Sequence, residues 1–87
     1  MSVVLTEESS ARLAVRVVDT RSSYCPLPLL SVRREIVHVD VGEVLELWVN
    51  DRRCRIIMRL WANKAGHDFL GFVPGAGYTR IFVRRGR

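Results

Sequence analysis

Cysteine is scarce in this chain: of 87 residues only Cys25 and Cys54 carry a thiol. Two cysteines exclude the several-bridge framework of small secreted domains, and without close pairing or accompanying histidines they exclude a zinc site. Both thiols are therefore expected to be free, and no metal is expected. Long apolar runs are also missing, since none approaches the ~20 residues that span a bilayer. The opening MSVVLTEESS has neither a basic n-region nor a long apolar h-region, so a cytoplasmic, membrane-free location is expected. Lysine occurs once against thirteen arginines, giving a net charge of +5 with clusters at Arg33–Arg34, Arg52–Arg53–Arg55 and Arg84–Arg85–Arg87. Such charge favours acidic partners, nucleic acid or an acidic protein face, without specifying any chemistry. A chain this short builds one core and has little room for a substrate cleft of its own, so function is expected to need a partner.

What is present is regular patterning. The first eleven residues are polar and aperiodic, a flexible lead, and residues 12–87 read as one domain. RLAVRVVD alternates Leu13, Val15 and Val17 against Arg12, Ala14 and Arg16, the period of a half-buried strand. Leu29, Leu30, Val32, Arg33, Ile36 and Val37 then fall at helical spacing, ended by Gly42. EVLELWVND alternates again, with Trp48 opposite Val44, Leu45, Leu47 and Val49, and ends in Asn50–Asp51, a helix N-cap pair. From Arg52 to Ala65 the helical period returns, with Cys54, Ile57, Met58, Trp61 and Ala65 on one stripe and Gly66 at the expected left-handed C-cap. HDFLGFV and GYTRIFVRR are strand-like and joined by the turn residues PGAG. The order βαβαββ predicts an α+β two-layer sandwich, a four-stranded mixed sheet with two helices on one face. The loop after the first strand then lies beside the first helix, and Cys25 is at that junction.

The stretch Cys25-Pro26-Leu27-Pro28 is unusual. Proline is tolerated in a first helical turn, so Pro26 and Pro28 stiffen the helix start while biasing Cys25 and Leu27 away from helical geometry. Cys25 is expected just outside the helix, with the N–H groups of Leu27 and Leu29 among the remaining donors near its sulfur. A thiol there feels the positive end of the helix dipole, which favours the thiolate, and nearby Arg21 is placed in sequence to add to that effect. The competing reading is a small buried hydrophobe that happens to precede a helix.

From Asp19 to Phe69 the sequence resembles the TusA, or SirA-like, family of small sulfur carriers. The match rests on Cys-Pro-x-Pro, a basic amphipathic helix, Gly42–Glu43 before a Leu- and Val-rich strand, and Gly66–His67 after the second helix. The resemblance implies that Cys25 accepts sulfane sulfur as a covalent persulfide, with no other cofactor, and passes it to the next protein in a relay. It also implies that Pro26 and Pro28 shape the site and that Asp19 is the family's acidic residue at the end of strand one. A donor such as a cysteine desulfurase or rhodanese and a downstream acceptor protein are implied as partners; tRNA thiolation, molybdenum-cofactor enzymes and sulfur oxidation are possible destinations. The chain departs from the pattern at Ser22, where the family usually has Gly, at Asn50–Asp51–Arg52 in place of Asp-Asp-Pro, and at Met58–Arg59 in place of Ile-Pro.

Arg52, Arg53, Arg55 and Arg59 are expected on the exposed side of the second helix, either solvated or facing an acidic partner. Cys54 reads either as core or as a second, resolving thiol. His38 is placed to cap a helix C-terminus, His67 to begin a strand, and Trp48 to cover sheet surface. The alternative function is an arginine-rich RNA-binding or regulatory domain, although Trp48, Trp61, Phe69, Phe72, Tyr78 and Phe82 form no base-stacking motif.

Overall fold

The computed structural model describes residues 14–87; the proposed lead, together with residues 12–13, lies outside the described residues. Strands β1 (Ala14–Asp19), β2 (Val44–Val49), β3 (Asp68–Pro74) and β4 (Thr79–Arg84) form one sheet in the order β1-β2-β4-β3. The β1–β2 pair is parallel and the other two are antiparallel. Helices α1 (Leu27–Glu35), extended by a 3₁₀ turn at Ile36–His38, and α2 (Cys54–Ala65) cover one face. The expected two-layer architecture is thus observed. Among the described residues no helix is long and apolar enough to cross a membrane.

Alternation along β2 sends Leu45, Leu47 and Val49 toward the helices, where they meet Val32, Ile36, Met58, Ala62, Ile81 and Val83 in the main core. Burial of such side chains is worth roughly 1.5–3 kcal/mol each, enough to hold both helices against the sheet. Val44 belongs instead to a second cluster with Val73 and Phe82, on the face it shares with Trp48. On that same face the nearly buried Glu46 carboxylate accepts hydrogen bonds from Arg80 Nε, at 2.7 Å, and from the Trp48 indole.

Two pattern readings need correction. In β1 the phase is inverted: Val15 and Val17 are 61% and 51% exposed, whereas Val18 packs on the core and Arg16 reaches Glu35 of α1 at 2.6 Å. Alternation sets a period but not which face is buried, and a register shift between Ala14 and Arg16 moves the phase. In α2 the buried stripe is Cys54, Met58 and Ala62, with Ile56 and Leu60 exposed, so Arg55 and Arg59 are half-buried rather than on the outermost side.

The helix ends are locally explained. Gly66 closes α2 at φ +84°, a backbone conformation available to glycine without a Cβ penalty. Beyond it, the His67 ring packs against Trp61 and its Nδ1 accepts the Gly86 N–H at 3.0 Å. Burial holds the His67 imidazole below its ordinary range, with Arg85 and Arg87 adding to the shift and Asp68 opposing it. At the end of the 3₁₀ turn, Arg85 donates to the carbonyls of Val37 and Val39, supplying the closure expected of the exposed His38. Residues Gly75 to Tyr78 make the expected hairpin turn, Gly75 N–H donating to the Tyr78 carbonyl at 2.8 Å.

Candidate functional site

The loop after β1 is tied down before it reaches Cys25. Thr20 is buried and bonds the Trp48 carbonyl through both its N–H and its hydroxyl, and Ser23 N–H returns to the Thr20 carbonyl at 3.0 Å. No non-glycine residue among those described has positive φ, so Ser22 occupies the family's glycine position without backbone strain. Cys25 and Pro26 form a turn, the peptide between them is cis, and α1 starts at Leu27. Cys25 thus stands just outside the helix, half-buried, with exposed Tyr24 (66%), Leu27 (54%) and Leu30 (52%) nearby in sequence. Pro28 is buried in the first turn and Pro26 is the exposed N-cap.

The principal correction concerns the thiols. Cys25 and Cys54 are joined as a disulfide, their Cα atoms 5.9 Å apart across 29 positions of sequence. Cys25 precedes α1 and Cys54 is the first residue of α2, so the positive ends of both helices converge on the sulfur pair. Packing α1 beside α2 on one sheet face creates this proximity, which sequence spacing could not reveal. Cys54 is fully buried with Met58 and Val32. Its position is that of a core residue, as one of the two expectations had it.

The hydrogen-bond donors are arranged differently from expectation. Leu27 N–H donates to the Tyr24 carbonyl and Leu29 N–H to the Pro26 carbonyl, so both are taken up by backbone. Cys54 N–H donates to the Asp51 carbonyl. Asn50–Asp51 does not cap α2 directly: Arg53 is the N-cap, and Asp51 instead accepts the Arg53 N–H at 2.9 Å and pairs with its guanidinium. That pairing holds the Asp51 carboxyl below the usual carboxylate range.

The predicted site residues separate into two groups. Cys25, Pro26 and Pro28 lie at the α1 start. Asp19 and Arg21 pair with each other at 2.8 Å, and the guanidinium lies over the rings of Trp48 and Tyr78, 4.7 and 4.9 Å from their centroids. Trp48 belongs to the sheet face opposite the helices, so Arg21 is committed there, while Cys25 packs on the helix side. The Arg21 side chain and N–H hold the Asp19 carboxyl below the usual carboxylate range. Asp19, Arg21, Ser22, Asn50, Gly77 and Tyr78 line an open depression at that end of the sheet. Of the four arginines at and just before α2, Arg53 is paired with Asp51 and Arg55 lies 4.7 Å over the Phe72 ring. The Cys54 pairing is the feature missed by the expectation of two free thiols; a Cys just before the first predicted helix and another in the first turn of the second were its only signal.

Comparison with known proteins follows the same outline. The pattern of the family described as "Sulfurtransferase TusA" matches residues 16–85. A "Putative sulfur carrier protein" of Archaeoglobus fulgidus is 38% identical over 69 residues, covering 79% of this chain and 94% of its own. The Bacillus subtilis "Putative sulfur carrier protein YrkF" is 30% identical over 73 residues, covering 84% of this chain but 40% of its own longer one. A crystal structure of a SirA-like protein from Desulfitobacterium hafniense superposes with a TM-score of 0.72 at 16% identity, over 84% of this chain and all of that one, and so shares the fold.

Proposed function

The chain belongs to the sulfurtransferase TusA family, and on that premise we propose that it is a sulfur carrier that holds sulfane sulfur as a persulfide on Cys25. The observation that carries this reading is the partly buried position of Cys25 immediately before α1, with exposed apolar Tyr24, Leu27 and Leu30 close to it along the chain. The carrier acts from the dithiol form. Once the Cys25–Cys54 bond is reduced, the Cys25 thiolate attacks the outer sulfur of a donor persulfide, the donor thiolate leaves, and the sulfane sulfur stays on Cys25. The α1 dipole favours both the attacking thiolate and the anionic persulfide it becomes. The exposed Tyr24, Leu27 and Leu30 suit contact with a donor such as a cysteine desulfurase or rhodanese and then with an acceptor protein, because exposed apolar groups gain most when a partner covers them. Exposed Arg52, just ahead of α2, and half-buried Arg59 within it remain candidates for an acidic partner face. A reducing cytoplasm supplies the thiol poise that keeps the dithiol form in use.

The test is intact-protein mass spectrometry with peptide mapping after the reduced protein meets a persulfidated desulfurase. A one-sulfur adduct on Cys25, removed by reductant and missing from Cys25→Ser, is expected. An adduct that survives in Cys25→Ser at the wild-type level would overturn the assignment.

A further inference from the structure

The fully buried sulfur of Cys54 has no place in simple carriage, yet it is bonded to the carrier atom itself. We infer that Cys54 is a resolving thiol that turns a persulfide on Cys25 into free hydrosulfide. The inference rests on the carrier reading above. Cys54 gives its proton to solvent and its thiolate attacks Cys25 Sγ. A Cys54–Cys25 sulfur bond forms and the bond from Cys25 Sγ to the outer sulfur breaks. The outer sulfur leaves with the electron pair as HS⁻. The two cysteine thiols supply the two electrons that take sulfane sulfur down to sulfide, and the cystine of the structure is the protein product of the step. A second turnover requires an external dithiol reductant, such as a thiol–disulfide oxidoreductase, to reopen the bond.

Three features favour this step. Cys54 is the first residue of α2 and Cys25 immediately precedes the N-cap of α1, so each sulfur stands near a positive helix end that supports a thiolate during exchange. Displacement at sulfur proceeds with nucleophile and leaving group on opposite sides; Cys54 occupies the core side of Cys25, which leaves the solvent side for the departing sulfur. Position is also pre-set: the Cα atoms are 5.9 Å apart, anchored by the core contacts of Cys54 and by the Thr20–Ser23 loop bonds, so closure needs no diffusion of one segment to the other. Delivery to an acceptor protein and release as hydrosulfide are then two competing fates of one persulfide. A docked acceptor that covers Tyr24, Leu27 and Leu30 would favour delivery; an undocked carrier would clear itself.

The experiment loads reduced full-length protein from a persulfidated desulfurase, removes the donor by rapid gel filtration, and follows two readouts together. Hydrosulfide is trapped with a bimane reagent, and the protein mass is recorded over time. In wild type the one-sulfur adduct should decay into a cystine form two hydrogens lighter than the dithiol, with about one hydrosulfide trapped per adduct lost. In Cys54→Ala the adduct on Cys25 should persist, with release slowed at least ~10-fold. Cys54→Ser provides a second variant should the alanine form fold poorly, and the wild-type time course needs no variant. A wild-type adduct that persists as long as that of the variants, without cystine or hydrosulfide, would overturn the inference while leaving carriage intact. Movement of the adduct to Cys54 would also overturn it, making Cys54 a second carrier. Failure of every form to load on Cys25 would remove the carrier reading and this inference with it.

Discussion

The two helix starts hold the same atom type in different settings. Cys25 opens a turn stiffened by prolines, is partly buried, and is preceded by a loop held through Thr20 and Ser23. Cys54 lies inside its helix, fully buried, one turn before Met58 and in the same cluster as Val32. The difference teaches that a dipole alone does not define a reactive thiol. Access separates the cysteine that can meet another protein from the one that can meet only its neighbour.

The sharpest way to break that contrast is to loosen the buried side. Met58→Ala removes a fully buried side chain beneath the α2 start and should lower stability by about 2–5 kcal/mol in urea or guanidinium unfolding. In the reduced variant Cys54 should also alkylate faster than in reduced wild type. Unchanged stability and unchanged Cys54 alkylation would mean that α2 is anchored elsewhere. Next in size is reduction itself: opening a bond across 29 positions should remove about 2–4 kcal/mol of stability, read as a shift of the denaturation midpoint with and without dithiothreitol. Hydrogen exchange should then rise more at Ser23 to Cys25 than at Cys54 to Met58, because the buried side keeps its packing. The reverse ranking would invert the comparison.

The smallest effect belongs to the far end of α2. His67 titrates below its ordinary value in the folded chain, so the unfolded chain binds the proton first as pH falls. Its stabilising contribution is complete above about pH 6.5 and declines as pH drops from there through the lowered folded value. The loss should be modest, seen as a falling thermal midpoint, and absent in His67→Asn. Because His67 lies beyond the C-terminus of α2, the rate of Cys25–Cys54 closure should not follow this titration. A closure rate that tracked it would connect the two ends of the helix.

Much of the fold could be read along the chain. The periods of β2, α1 and α2, Gly66 as the α2 stop and the hairpin after Pro74 all follow from local chemistry: side-chain alternation, helical spacing and the conformational freedom of glycine. Cys25 was legible as a thiol outside a helix because Pro26 and Pro28 act on their immediate neighbours. The phase of β1 was not, since apolar residues occur on both of its faces and a register shift chose between them. Nor could the direction of the Arg21 side chain be read, because the aromatic rings that hold it come from β2 and the hairpin.

By itself, then, the sequence determined the elements and one candidate sulfur atom, because those depend on residues within a turn or two of each other. Only the tertiary structure decided that the candidate has a partner. Cys25 and Cys54 meet because two helices, each starting after a parallel strand, pack side by side on one face of the sheet and bring their N-terminal ends together. That proximity is a property of packed layers, and no local pattern in the intervening residues encodes it.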